Sequence, residues 1–330
     1  MGPLDGSLSL GRFGASATAG RRTAMDQAKD KAERRFPGTL GPDLDALYRE
    51  PFRIARPARQ TAPFVFASPH SGRIYPASFV AGSWLSPLAL RRSEDAFVDE
   101  LFGTVVSEGA PLIAALFPRA FLDVNRAAGE LDNAMFESAL GVDVDKTSAR
   151  VAAGLGVIPR IVRDGVEIYR EKLSPDEAGE RLERLHRPYH AALAGLVEET
   201  RASFGAAIVV DCHSMPSGAT VPDIVLGDRH GASASPSLMR HAEMAFEGCG
   251  FSTARNAPYA GGYTTHLYGR RERSVHALQI ELNRSLYLDE ERIERSSHFD
   301  QVCARLAGAL KRLLGVDVHG LHAHRPLAAE

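Results

Sequence analysis

The sequence predicts a three-layer α/β protein, with helices packed on both faces of a buried sheet. Three observations carry that expectation: short apolar runs recur along the chain, segments of helical period lie between them, and three of the runs end in polar clusters. The runs are residues 63–67, 110–116, 206–210, 223–226 and 276–282. Phe97, Val98, Leu101, Phe102, Val105 and Val106 repeat at helical spacing and predict one helix across that stretch. Ser174-Pro175-Asp176-Glu177 reads as an N-cap, a proline at the first helical position and the third-position acid of a capping box. The helix it opens should run toward Arg187, be interrupted at Pro188 and continue over 189–201. Two further helices are expected over 237–247 and 289–314. In such folds ligands gather at the carboxyl ends of the strands, so chemistry is sought there.

The 330 residues, 44% hydrophobic and with a net charge of -2, suit one large or two small globular domains able to bury a full core. Near-neutral charge offers no basic surplus to neutralise phosphates, which argues against a nucleic-acid partner. No apolar run has the length of a membrane-spanning helix, so no membrane association is expected. Cys212, Cys249 and Cys303 are scattered and odd in number, which points to a reducing compartment, the cytoplasm. Arg21-Arg22 is followed by polar and charged residues, not by the apolar stretch of an export signal. Residues 1–40 are expected to be a disordered extension, 41–318 a single catalytic domain and 319–330 a tail.

One run ends in Ser68-Pro69-His70-Ser71-Gly72-Arg73 and another in Asp211-Cys212-His213-Ser214, so two histidines hold equivalent places at strand ends. Neutral imidazole is a favoured zinc ligand, and three protein ligands plus water is the catalytic zinc pattern. The third ligand is expected to be an acid. On a helix starting there, Glu94 projects near the centre of the apolar face, Asp95 lies at its margin and Asp99 points outward, which leaves Glu94 and Asp95 both open. Glu281 is an acid inside the apolar run 276–282, where an unpaired carboxylate is costly. It therefore needs a charged partner such as Arg284, or a role as general base. Arginines cluster near turns at Arg119, Arg126 and Arg160, and Asn125-Arg126 is the best of these to clamp a carboxylate. Gly261-Gly262 marks a mobile or closely packed loop near a ligand, with His266 within reach of a substrate. Gly-x-Ser-x-Gly is absent, which removes a serine hydrolase of that type.

Several of these segments, taken in order, resemble the N-formylglutamate amidohydrolase family over about residues 60 to 290. The matching pieces are Pro69-His70-Ser71-Gly72, Asp95 with Asp99, Asp123-Val124-Asn125-Arg126, 154–160, Arg187-Pro188-Tyr189-His190, Asp211-Cys212-His213-Ser214, Gly261-Gly262-Tyr263, Gln279-Ile280-Glu281 and 285–290. Each is short, and their order and spacing make the match specific. The resemblance implies an α/β/α fold with a mixed central sheet of the zinc carboxypeptidase type (phosphorylase/hydrolase-like), related to the aspartoacylase group. It implies Zn2+ held by His70, Asp95 and His213, because the family pattern recurs at Asp95, not at Glu94. Those wider relatives carry a carboxylate ligand three residues after the first histidine, where this chain has Arg73.

The same resemblance makes Glu281 the general base and acid. It makes Arg126 with Asn125 the holder of the substrate carboxylate, with Arg160, His266 and Arg284 as further substrate-binding residues. The implied substrate is a small acidic N-acyl amino acid, most directly N-formyl-L-glutamate, cut to formate and L-glutamate in one route of histidine catabolism. The family's Arg-His pair after Gly-Gly-Tyr-Ile-Thr is His266-Leu267 here, and Asn283-Arg284 also departs from the pattern. The alternative is therefore a deacylase or peptidase of another N-acyl amino acid or short peptide. A metal-free binding protein would require loss of a ligand or the base, and all four residues are present.

Overall fold

The computed structural model of the protein describes residues 44–140, 145, 148–162, 165–218, 220–317 and 321. The expected extension over 1–40 lies outside the described residues, as does the tail apart from Leu321. The sheet comprises β1 (Phe52–Ala55), β2 (Phe64–Ser68), β3 (Leu112–Ala115), β4 (Ala207–Met215), β5 (Ile224–Gly227), β6 (Thr253–Arg255) and β7 (Val275–Asn283), in the order β1-β3-β2-β4-β7-β5-β6. The inner strands β3, β2, β4 and β7 are parallel. At the edges β1 opposes β3, and the parallel pair β5 and β6 opposes β7. The sheet is therefore mixed, as expected.

All five apolar runs form strands because both faces of the sheet are covered, so successive residues find apolar partners on opposite sides. Phe64, Phe66, Ile208, Val210, Leu278 and Ile280 face one helical layer, built from α1 (Val98–Leu101), α4 (Pro236–Glu247) and α6 (Phe299–Leu314). Val65, Ala67, Val209 and Ala277 face the other, where Tyr189, Leu193 and Leu196 of α3 (Arg187–Phe204) close the core. The three-layer arrangement follows directly from that alternation.

Several elements differ from the expectation. The helix expected over 97–106 is only α1, followed by a tighter turn at Gly103–Val106. Phe97 stands at φ 63°, in the left-handed region, and stops the helix from extending backward. Glu94 and Asp95 therefore lie in the turn before it, and the helical-face ranking of the two does not apply. Ser174 caps α2 (Pro175–Arg181) by accepting from the Glu177 N–H at 3.1 Å, as expected. Pro188, however, lies in the first turn of α3, where no helical N–H is required, and a π-helical turn, Leu182–His186, joins the two helices. The last helix begins at Phe299, not Asp289, because β8 (Leu288–Asp289) and β9 (Glu294–Arg295) form a hairpin first. The edge strands β1 and β6 are too short to have shown as apolar runs. One more short helix, α5 (Tyr263–Tyr268), follows the glycine pair. Among the described residues no helix is long and apolar enough to cross a membrane.

Candidate active site

Strand β2 ends at Ser68, and the chain bends at once, placing His70 two residues beyond the strand. Gly72 permits the turn, since a Cβ there would overlap the Phe117 carbonyl. Strand β4 runs further than expected and carries His213 within it. On β7, Glu281 is the register neighbour of His213, so ligand candidate and acid lie side by side. Asp95 completes the group from the turn before α1, its backbone N–H donating to the His70 carbonyl at 3.0 Å.

The side chains converge. Asp95 Oδ2 lies 3.3 Å from His70 Nδ1 and 2.9 Å from His213 Nδ1. One ligand atom from each of the three residues falls within 4.8 Å of the others, and all three residues are buried. The far nitrogen of each imidazole also meets a carboxylate. His70 Nε2 is 2.7 Å from Asp123 Oδ1, and His213 Nε2 is 3.0 Å from Asp211 Oδ2. Two imidazoles and a carboxylate oxygen aimed at one point, each imidazole backed by an acid, is the donor chemistry that suits zinc.

Electrostatics agree with a cation at this point. Burial alone would raise the Asp95 carboxyl, but His213 and His70 hold it well below the usual range. Asp123 is likewise held down against burial by His70, Arg119 and Arg126. Burial disfavours a charge on His213, yet Asp211, Asp95 and Glu281 keep its imidazole well above the ordinary value. The ionised carboxylates around the two imidazoles make the site attractive to a cation, whether a proton on His213 or a divalent metal ion. Glu281 behaves differently. Burial pushes its carboxyl up to about 7, against the pull of His213, and Gln279 Nε2 donates to its Oε1 at 2.8 Å.

Glu94 stands apart from the centre. Both of its oxygens are taken, by Tyr75 at 2.8 Å and by Arg91 at 3.0 and 3.1 Å. The structure thus brings Asp95, not Glu94, to the histidines. Arg284 also changes place. Its Nη2 donates to Asp95 Oδ1 at 2.9 Å and to the Glu94 carbonyl at 2.7 Å, while Nε reaches Ser214 Oγ at 3.1 Å, so these donors are spent on holding Asp95. Asn125 is equally committed: its Nδ2 meets Asp211 Oδ2 and His213 Nε2, both at 3.0 Å, and its Oδ1 accepts from the Thr264 N–H at 2.8 Å. Gly262 allows that approach, since a Cβ on it would lie 2.6 Å from Asn125 Nδ2.

Arg126 is buried and donates through Nε to the Leu155 carbonyl and through Nη1 to the Asn125 carbonyl, with Asp123 Oδ2 at 4.0 Å. Arg119 Nε bonds the same Asp123 oxygen at 3.1 Å while its side chain stays 28% exposed, and its charge acts on Glu281 and Asp95. Arg160 pairs with Asp132 and Glu167, and exposed His266 accepts from Arg229; the interactions of neither reach the centre. Sequence reasoning gave no role to Asp123 or Asp211. A signal existed for Asp211, which sits two residues before His213 and so shares its face of β4.

A sequence model of the N-formylglutamate amidohydrolase family matches residues 62–288. The chain belongs to this family. The match takes in every residue of the centre just described, from His70 to Arg284. Two N-formylglutamate deformylases are similar to it. That of Pseudomonas aeruginosa is 29% identical over 243 residues, covering 71% of this chain and 85% of its own, and that of Pseudomonas putida is 28% identical over 237 residues, covering 69% and 82%. Among solved structures, an N-formylglutamate amidohydrolase from Ralstonia eutropha JMP134 superposes with a TM-score of 0.74 at 36% identity, over 80% of this chain and 96% of that one. A gene product of Agrobacterium tumefaciens, 18% identical over 86% and 97% of the two chains with a TM-score of 0.53, shares the fold.

Proposed function

We propose that this chain is a zinc-dependent amide hydrolase acting on a small acidic N-acyl amino acid, with N-formyl-L-glutamate as substrate and formate and L-glutamate as products. One observation carries the reading. The His70, Asp95 and His213 donors meet within 4.8 Å, and Glu281 stands beside His213 in register across β4 and β7. Kinship with proteins named for N-formylglutamate supports the substrate. The three free cysteines suit a reducing compartment such as the cytoplasm.

Bound by His70, Asp95 and His213, zinc supplies Lewis acidity to the amide carbonyl and to the attacking water. Glu281 takes a proton from that water as the C–O bond forms, then delivers it to the nitrogen as the C–N bond breaks. A carboxyl raised to about 7 is suited to both transfers near neutrality. Arg119, part-exposed beside Asp123, steadies the charge that develops on the carbonyl oxygen. Arg126, on the other side of Asp123, holds the substrate carboxylate. Asp123 and Asp211 accept from the imidazole Nε2–H groups and orient the rings, Asn125 Nδ2 donates to Asp211, and Arg284 with Ser214 orients Asp95.

The test is metal content of the purified protein together with turnover of N-formylglutamate, N-formylaspartate, N-acetylglutamate and glutamyl dipeptides. The expected outcome is fastest turnover of N-formylglutamate, lost on chelation and restored by zinc. Turnover indifferent to chelation overturns the metal reading. Preference for an acetyl substrate or a dipeptide, as the replacement of the family's Arg-His pair by His266-Leu267 allows, overturns the substrate reading alone.

A further inference from the structure

Residues 123–126 touch both imidazoles of the centre from behind. Asp123 Oδ1 accepts from His70 Nε2, and Asn125 Nδ2 donates to Asp211 Oδ2, the oxygen that accepts from His213 Nε2. The residues between and after them, Val124 and Arg126, present their carbonyls to α3 and the π-helical turn before it. There His190 Nε2 meets the Val124 carbonyl at 2.8 Å, and His186 Nε2 meets the Arg126 carbonyl at 2.9 Å. The two rings lie 4.6 Å apart, one helical turn from each other. His186 is the last residue of the π-helical turn, a distortion that recurs at functional sites because it re-aims side chains.

Helix α5 closes on the same segment. Its Thr264 N–H donates to Asn125 Oδ1, its Tyr268 hydroxyl donates to the His190 carbonyl at 3.0 Å and lies 3.1 Å from His190 Nδ1, and its Tyr263 packs on both histidine rings. Burial, with His186 the next cause, holds His190 down at about 4, and burial also lowers His186. Both are therefore neutral near pH 7, and each donates an Nε2–H to its carbonyl. Apolar residues at these places would fill the volume but leave two buried carbonyls without donors on either side of Asn125.

We infer that His186 and His190 are positioning residues of the hydrolytic centre: by fixing the carbonyls of Val124 and Arg126 they set Asp123 and Asn125, and through them the aim of His70 and His213. The inference rests on the reading of that centre as a metal-binding hydrolase. Its test compares His190→Phe, His190→Gln, His190→Asn and His186→Phe in the full chain. Gln keeps a donor at the reach of Nε2, Asn has one that is too short, and Phe has none. The measurements are zinc affinity by chelator competition, the visible spectrum of the cobalt-loaded protein, and kcat and KM on N-formylglutamate.

We expect His190→Phe and His186→Phe each to weaken zinc by about 10- to 100-fold, shift the cobalt spectrum and lower kcat more than they raise KM. His190→Gln should recover most of the loss and His190→Asn little of it. Phe variants that keep zinc affinity within threefold and an unaltered cobalt spectrum, whatever their thermal stability, overturn the inference. Should the Phe variants not fold, equal zinc affinity in the Gln and Asn variants overturns it. A parent protein that binds no zinc overturns the metal reading and this inference with it, whereas a zinc-binding parent with indifferent variants overturns the inference alone.

Discussion

Replacing Glu281 by Gln separates proton transfer from every other duty of the residue. Gln keeps the size of the side chain and can still accept from Gln279 Nε2, as Glu281 does at 2.8 Å. It cannot take up a proton. If Glu281 carries the proton, the variant should fold and bind zinc normally yet lose about two to four decades in kcat, the usual range for a general base. Stability should move the opposite way. Burial raises the carboxyl from an ordinary 4.5 to about 7, so the folded chain holds the proton more tightly than the unfolded one. The stabilisation that comes with protonation is complete below 4.5 and is lost as pH rises through about 7. At pH 8 both states are ionised, and keeping that charge buried costs the metal-free fold about 3 kcal/mol. Gln resembles the protonated form at every pH. Chelated Glu281→Gln should therefore unfold at higher denaturant than the chelated parent at pH 8, and at nearly the same denaturant at pH 4. Turnover within threefold of the parent, or a variant less stable than the parent at pH 8, refutes the assignment; the second result would make Glu281 a structural ion-pair partner.

Other substitutions probe the centre. Purified protein should carry about one zinc per chain, and His70→Ala, Asp95→Ala and His213→Ala should each abolish it in a metal assay, whereas Glu94→Ala should spare it. Arg284→Ala removes the Nη2–H donated to Asp95 Oδ1, so zinc affinity should fall about 10- to 100-fold by chelator competition with KM little changed; a pure KM effect would return Arg284 to the substrate. Arg126→Ala should raise KM by an amount equal to roughly 2–5 kcal/mol, with Lys restoring only part, while Arg119→Ala should act mainly on kcat. Unchanged kinetics on an acidic substrate would remove Arg126 from the site.

What the sequence showed and what it hid divide along physical lines. The inner strands were legible because sandwiched strands read as unbroken apolar runs, and the two histidines were legible because each sits among polar residues just beyond such a run. The stop at Phe97 was not, since nothing in an aromatic residue announces a left-handed backbone, and so Glu94 and Asp95 were placed on a helix they precede. The hairpin before α6 was hidden for a similar reason: Ile293, at φ 54°, offers no glycine to mark the bend. The choice between Glu94 and Asp95 depended on Arg91 and Tyr75 capturing one and Arg284 the other. Arg284 lies 189 positions from Asp95, a separation no periodicity reveals. For Arg284 and Asn125, composition tells that a guanidinium or an amide needs a partner and not which partner it finds; here the partners are Asp95 and Asp211.

The four residues of the centre lie at 70, 95, 213 and 281, and the strands that bring them together pair across long stretches of intervening chain. A growing or partly folded chain that has not yet paired β7 with β4 holds neither Glu281 beside His213 nor Arg284 behind Asp95. Loop closure must therefore come first, and it is driven by apolar layering, not by a ligand. Zinc bound there, as proposed, would be a latecomer. It would tighten a basin the chain has already entered, by mass action on the finished fold, without choosing that fold. The protein in this respect is the reverse of a zinc finger, whose chain has no structure to offer until the ion is there.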